Sequence, residues 1–133
     1  MKRVAAISLL WLHASAGAQW VEIASDDTMK ISAEAGSIRI VGTRATGWVQ
    51  YAFETPRQML ADKRVTYSLV RLLVVVDCEL SSMGYRQYHY YSTDTTPIRS
   101  TVVRDADVSL SEPIPGSTGA AILQHICART KGR

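Results

Sequence analysis

The chain has 133 residues, 47% of them hydrophobic, with 15 Lys and Arg against 12 Asp and Glu. That length and apolar content suit one hydrophobic core and exclude a disordered, highly charged polymer. The near-even charge also argues against a nucleic-acid binder, which wants a basic face on the folded domain itself.

The N-terminus reads Met1-Lys2-Arg3, then Val4 to Leu12, apolar except for Ser8, then His13-Ala14-Ser15-Ala16-Gly17-Ala18. A charged start, a short apolar run and a small-residue end predict a secretory signal peptide over residues 1–18. The run is too short to span a bilayer, which takes ~20 apolar residues. Cleavage after Ala18 fits the Ala16-Gly17-Ala18 pattern and leaves Gln19 first, with cleavage after Ala16 as the second choice. No cysteine directly follows the apolar run, so a diacylglyceryl-cysteine anchor is not expected. The mature chain, residues 19–133, is expected to be one exported domain without a transmembrane segment, in the periplasm, at the cell surface or secreted. Lys2 and Arg3 leave with the signal, so 13 basic residues then face 12 acidic ones. Arg129, Lys131 and Arg133 crowd the C-terminus, and the part before them is mildly acidic.

The middle of the chain reads as strands. Gln19 to Ala24 alternates around Trp20, Val21 and Ile23, and Ser25-Asp26-Asp27 is a turn by composition. Thr28 to Ala33 is a weaker strand, Ser37 to Val41 a short element, and Thr43 to Phe53 a longer strand carrying Trp48, Val49 and Tyr51. Gly47 inside it signals a bulge or a close backbone approach. Glu54 to Lys63 is expected as a polar connection around Pro56, with room for one helical turn at Arg57 to Ala61. Val65 to Leu80 is the strongest strand. Val70, Leu72, Val74, Val76 and Cys78 make one continuous apolar face, while the other mixes Leu69, Leu73 and Val75 with Arg71 and Asp77. Ser81 to Gly84 is expected as the hairpin turn, Tyr85 to Ser92 as the returning strand, and Ile98 to Val103 as the last strand.

Pro113 and Pro115 then impose an extended segment, Gly116 permits a sharp redirection, and Ser117 is placed as an N-cap. Ile122, Leu123, Ile126 and Cys127 form the apolar stripe of a short helix. Sequential strands with short turns and one C-terminal helix predict an α+β fold. The expected architecture is an antiparallel meander of about six strands packed on that helix.

Two cysteines in an exported chain predict one disulfide, Cys78 to Cys127, since both sit on apolar faces and not in the electropositive, exposed setting of a reactive thiol. With the cysteines so committed, His89 and His125 are too few for a zinc site, so neither metal nor cofactor is expected. His125 lies off the helix stripe and reads as solvated. Tyr85, Tyr88, His89, Tyr90 and Tyr91 form the one candidate binding surface, because tyrosine offers area and a hydrogen bond at low entropic cost. Simple alternation puts Tyr85, Gln87, His89 and Tyr91 on one face and Arg86, Tyr88 and Tyr90 on the other. The competing account is that these are good strand residues and no more. No nucleophile elbow occurs, Asp26-Asp27 and Asp105/Asp107 read as solvated turns, and no lysine completes a phosphate loop at Gly116 to Gly119. Catalytic residues are therefore not expected.

Several motifs taken in order resemble the surface-adhesin protein E family of small exported bacterial proteins. They are Trp20-Val21, Ser37-Ile38-Arg39 before Gly42, the aromatic strand at Trp48, Val76-Asp77-Cys78-Glu79, Tyr85-Arg86, and Pro113-Ile114-Pro115-Gly116-Ser117 leading to Ile126-Cys127. The resemblance spans most of the mature chain. It implies an antiparallel sheet with the C-terminal helix tied to it by Cys78–Cys127, and no enzymatic activity. It also implies a protein partner, since the family is named for binding host extracellular-matrix proteins. The chain departs from the family at Thr28-Met29-Lys30-Ile31, where tyrosines are common, at Glu34 in place of aspartate, and at Ala120 in place of a capping glutamate. The expected function is a non-enzymatic binding module with an extracellular-matrix or periplasmic protein partner. The alternative is a periplasmic enzyme inhibitor or accessory subunit inserting the Glu54–Lys63 or Thr93–Pro97 loop. The identity of the partner and the oligomeric state are left open.

Overall fold

A computed structural model describes residues 17–131, so the expected signal peptide lies outside the described residues except for Gly17 and Ala18. The strands are β1 (Trp20–Ser25), β2 (Met29–Glu34), β3 (Arg39–Val41), β4 (Arg44–Gln58), β5 (Thr66–Asp77), β6 (Ser82–Tyr91) and β7 (Pro97–Val102), followed by helix α1 (Thr118–Thr130). They form one antiparallel sheet in the order β1-β2-β4-β5-β6-β7, with β3 pairing β4 beyond the end of β2. This is the expected meander closed by one C-terminal helix.

Alternation along the central strands decides where the core forms. Val70, Leu72, Val74 and Val76 of β5 are all buried, as are Val49 and Ala45 of β4 and Ile31 and Ala33 of β2. Helix α1 lies across this face and contributes Ile122, Leu123 and Ile126. Gly47 serves the close approach: a Cβ there would meet Ile126 Cδ1 at 3.4 Å and Ile38 Cγ1 at 3.5 Å. The strand shows no bulge at Gly47, whose neighbours keep a continuous register with β5. Ser117 caps α1 by accepting a bond from the Ala120 N–H at 3.2 Å, and Gly116 makes the turn before it at φ 77°. Cys78 and Cys127 are bridged, with Cα atoms 5.7 Å apart, fastening the last turns of α1 to the end of β5.

Three local expectations are corrected. Glu54 to Gln58 is strand, with no helical turn at Arg57 to Ala61: Arg57 pairs with Tyr67 and Gln58 with Thr66. The register shift between Ala52 and Arg57 lets the strand carry Pro56 where no ladder N–H to β5 is needed. The β5–β6 turn occupies Cys78 to Ser81 and not Ser81 to Gly84, so β5 stops at Asp77, short of Leu80. The Asp77 carboxylate stops it, accepting from the N–H groups of Glu79 and Leu80 at 3.1 Å each. Gly84 instead lies in β6 under the returning chain, where Met83 and Ser111 exchange backbone bonds of 2.9 and 3.0 Å. A Cβ on Gly84 would come within 2.4 Å of the Ser109 carbonyl oxygen.

Candidate binding surface

The face of the sheet opposite α1 carries a polar row running strand to strand. Cross-strand pairing aligns Glu22, Ser32, Gln50, Arg71, His89 and Ser100 from β1 to β7, and directly opposed residues share a face. The Arg71 Nε–H donates to Gln50 Oε1 at 3.0 Å. His89 is held at both ring nitrogens, Nδ1 lying 2.7 Å from Ser100 Oγ and Nε2 2.9 Å from Gln87 Oε1. Aromatic rings flank the row. The Arg71 guanidinium lies 5.4 Å from the Trp20 ring centroid and 5.1 Å from that of Tyr91, both within cation–π range. Trp48 and His89 have centroids 5.7 Å apart. In the unprocessed chain Arg71, Trp20, Tyr91, Trp48 and His89 line an open cleft of about 520 Å³ together with Glu34 and with Gly17 and Ala18.

The five candidate residues of β6 divide between the two faces of the sheet, and not as simple alternation would have it. Leu73 pairs with Gln87 but Val74 with Tyr85, so Arg86 sits in a bulge. The extra residue turns Tyr85 onto the helix-side face with Tyr88 and Tyr90. His89, Tyr91 and Gln87 remain on the open face. This corrects the grouping of Tyr85 with His89 and Tyr91. Tyr85 and Tyr88 have centroids 5.7 Å apart, and a second chain of rings runs from Tyr51 through Phe53 and Tyr67 to Tyr90, at 6.4, 5.8 and 5.0 Å. These half-buried rings extend the core beyond the reach of α1. Burial raises the hydroxyl pKa of Tyr85, Tyr88 and Tyr90, with the neighbouring Tyr51 adding to the shift at Tyr85.

The remaining candidates have local explanations. Asp26 Oδ1 accepts from Thr28 N–H at 2.7 Å, the Thr28 hydroxyl at 2.8 Å and Met29 N–H at 2.9 Å, which lowers its pKa and closes the β1–β2 turn. Asp105 and Asp107 pair with Arg86 and Arg104, each at 2.8 Å. His125 is half-buried and not solvated: its Nε2 is enclosed without a hydrogen-bond partner among the described residues, beside Val21 and Ile23 of β1. Burial first, then the charge of Arg129, lowers its pKa. Among the described residues no three His, Cys, Asp or Glu side chains converge as metal ligands would. No helix among them is long and apolar enough to cross a membrane.

A family model for Surface-adhesin protein E matches residues 20–128, from β1 through Cys127 and most of α1. The chain belongs to the surface-adhesin protein E family. Crystal form II of Haemophilus influenzae protein E shares its fold at a TM-score of 0.60 and 11% identity, over 83% of this chain and 87% of that one. A second H. influenzae protein E structure gives 0.58 at 10% identity, over 83% and 84%. Protein E from non-typeable H. influenzae gives 0.57 at 11%, over 82% and 75%. Among curated proteins none matches the sequence.

On this surface-adhesin protein E fold, the residues that sequence reasoning overlooked are Trp20, Trp48, Gln50 and Arg71. A signal for them existed. Arg71 interrupts the second face of the central strand, and on the neighbouring strand Gln50 pairs with it while Trp48 pairs with Leu73. Only the pairing register shows that they meet Trp20, His89 and Tyr91 in one cleft.

Proposed function

We propose that this chain is an exported, non-enzymatic binding module of the surface-adhesin protein E family that engages a protein partner through the helix-free face of its sheet, in the periplasm or at the cell surface. The observation that carries the reading is the aromatic cleft around Arg71, formed by Trp20, Trp48, His89 and Tyr91 at the centre of that face. Tryptophan, tyrosine and arginine are the residue types that dominate the energetics of protein interfaces. A solvated antiparallel sheet face needs none of them at its middle. Family membership supports the same class of function and the absence of catalysis.

The test compares Trp48→Ala and Tyr91→Ser with Tyr88→Ser/Tyr90→Ser in the mature protein, by binding to immobilised extracellular-matrix proteins and by capture from periplasmic extract. Loss of binding is expected for the first two alone, with folding checked by circular dichroism. Retention of binding by both would refute the assignment of this face.

A second reading rests on the β4–β5 hairpin. Its tip presents Leu60, fully exposed, beside the buried Met59. The loop is braced by Met59 N–H to the Val65 carbonyl at 2.9 Å and by an Arg64–Asp62 ion pair at 3.1 Å. A rigid loop with an apolar tip suits insertion into an enzyme cleft, as in an inhibitor or accessory subunit. Leu60→Ser abolishing partner capture while Trp48→Ala preserves it would favour that reading.

A further inference from the structure

We propose that the cleft on the helix-free face is a carboxylate-recognition site, in which Arg71 takes an aspartate or glutamate side chain of a partner segment while Trp20, Trp48 and Tyr91 take the aromatic or apolar residue beside it. The inference rests on the function proposed above and names the chemistry of its partner.

Arg71 is the decisive group. It lies near the middle of β5, the central strand, and is half-buried. One of its donors, Nε–H, is committed to Gln50. Among the described residues the two Nη groups have no hydrogen-bond partner, and no carboxylate lies within 4 Å of the guanidinium. Arg64, Arg86 and Arg104 each have an aspartate at 2.8–3.1 Å, whereas Arg71, like several arginines on the surface, has none. The guanidinium that is best enclosed by aromatic rings is thus one without an internal counter-charge. Neither Nη is enclosed, so both are open to a ligand, and the flanking rings compensate the half-buried charge only in part. The planar fork matches a carboxylate through two parallel N–H···O bonds.

The surroundings define the rest of the ligand. Trp20 and Tyr91 flank the guanidinium, and the Gln50 bond restrains it further, so little orientational freedom remains to be lost on binding. Trp48, beside His89, offers an apolar wall next to the charge. Glu34 also lines the cleft and disfavours a ligand carrying a second negative charge on its side. A side-chain carboxylate with one aromatic neighbour satisfies all of these features.

The site carries its own reporter. The chain has three tryptophans; Trp11 lies in the expected signal peptide, so Trp20 and Trp48, both in the cleft, are those of the mature protein. The mature protein is titrated with acetyl-Phe-Glu-amide and its uncharged counterpart acetyl-Phe-Gln-amide, following the two indole N–H resonances and tryptophan emission. Acetyl-Phe-Glu-amide is expected to perturb both indoles and to bind about tenfold or more tightly than the glutamine peptide, as a charge-assisted bond requires. Arg71→Gln is expected to abolish that preference, and Arg71→Lys to restore part of it. Equal affinity of the two peptides for the wild-type protein overturns the proposal, as does failure of both to bind up to their solubility limit. The peptide comparison uses wild-type protein, so it decides the matter even if the Arg71 variants fold poorly. If the peptides are not discriminated but Trp48→Ala still loses partner binding, the carboxylate inference fails alone. If Trp48→Ala also keeps partner binding, the assignment of the face fails with it.

Discussion

Replacing both Cys78 and Cys127 by serine tests how the helix is held on the sheet. The bridge closes a loop between residues 49 apart in sequence, and the chain-entropy treatment then assigns it about 4 kcal/mol. Set against the roughly 5–15 kcal/mol that stabilises a typical domain, that is a large fraction. At roughly 4 °C per kcal/mol, the double variant is expected to melt about 15 °C lower. The loss should not be uniform. Helix α1 has 13 residues, a length at which isolated helices are marginal in water, and no acidic side chain in its first turn favours the helix dipole. Its attachment rests on Ile122, Leu123 and Ile126 together with the bridge. The β5 ladder, in contrast, is paired on both sides and does not depend on the bridge. Native-state hydrogen exchange should therefore show protection over Thr118–Thr130 falling well before that of Leu72 to Val76. Urea unfolding followed by far-ultraviolet circular dichroism supplies the global value. An unchanged midpoint, or equal protection in α1 and β5 after the cysteines are replaced, would refute the tethering argument.

Gly84→Ala forces a Cβ against the Ser109 carbonyl and should cost about 1–3 kcal/mol, with the Ser111 amide losing its exchange protection; retention of both would show that the crossing segment yields freely. Because the folded-state pKa of His125 is lowered, the unfolded chain binds the extra proton first as pH falls through 6.5. Stability is thus expected to decline below that pH and level off below the folded pKa, and His125→Gln should flatten this part of the pH profile in thermal melts. Mass spectrometry of protein from an exporting host should find an N-terminus at Gln19 or Gly17, whereas an intact Met1 on an extracytoplasmic product would contradict the signal peptide. Cleavage after Ala18 converts the Gln19 N–H, 3.2 Å from Glu34 Oε1, into an ammonium, so Glu34→Gln should destabilise the processed chain more than an unprocessed one.

The amino-acid sequence by itself determined what depends on local pattern. The alternation of Val70, Leu72, Val74 and Val76 dictates a strand with one buried face, and the Ser117 cap with the Ile122, Leu123 and Ile126 stripe dictates a helix to cover it. Two cysteines on those two apolar surfaces leave one pairing. The meander order follows from the short connections. Where local cues had two uses, tertiary contacts chose between them. Gly84 resembles a turn residue, yet it is a glycine because the Ser109 carbonyl passes over it. Pro56 resembles a strand breaker, yet a register shift gives it a place without a ladder bond to β5. The candidate surface was hidden for the same reason. One extra residue at Arg86 reverses which tyrosines share a face, because side chains in a strand repeat every two residues and a bulge shifts that phase. Trp20, Trp48, Arg71 and His89 come from β1, β4, β5 and β6, and only the pairing of those strands brings them into one cleft.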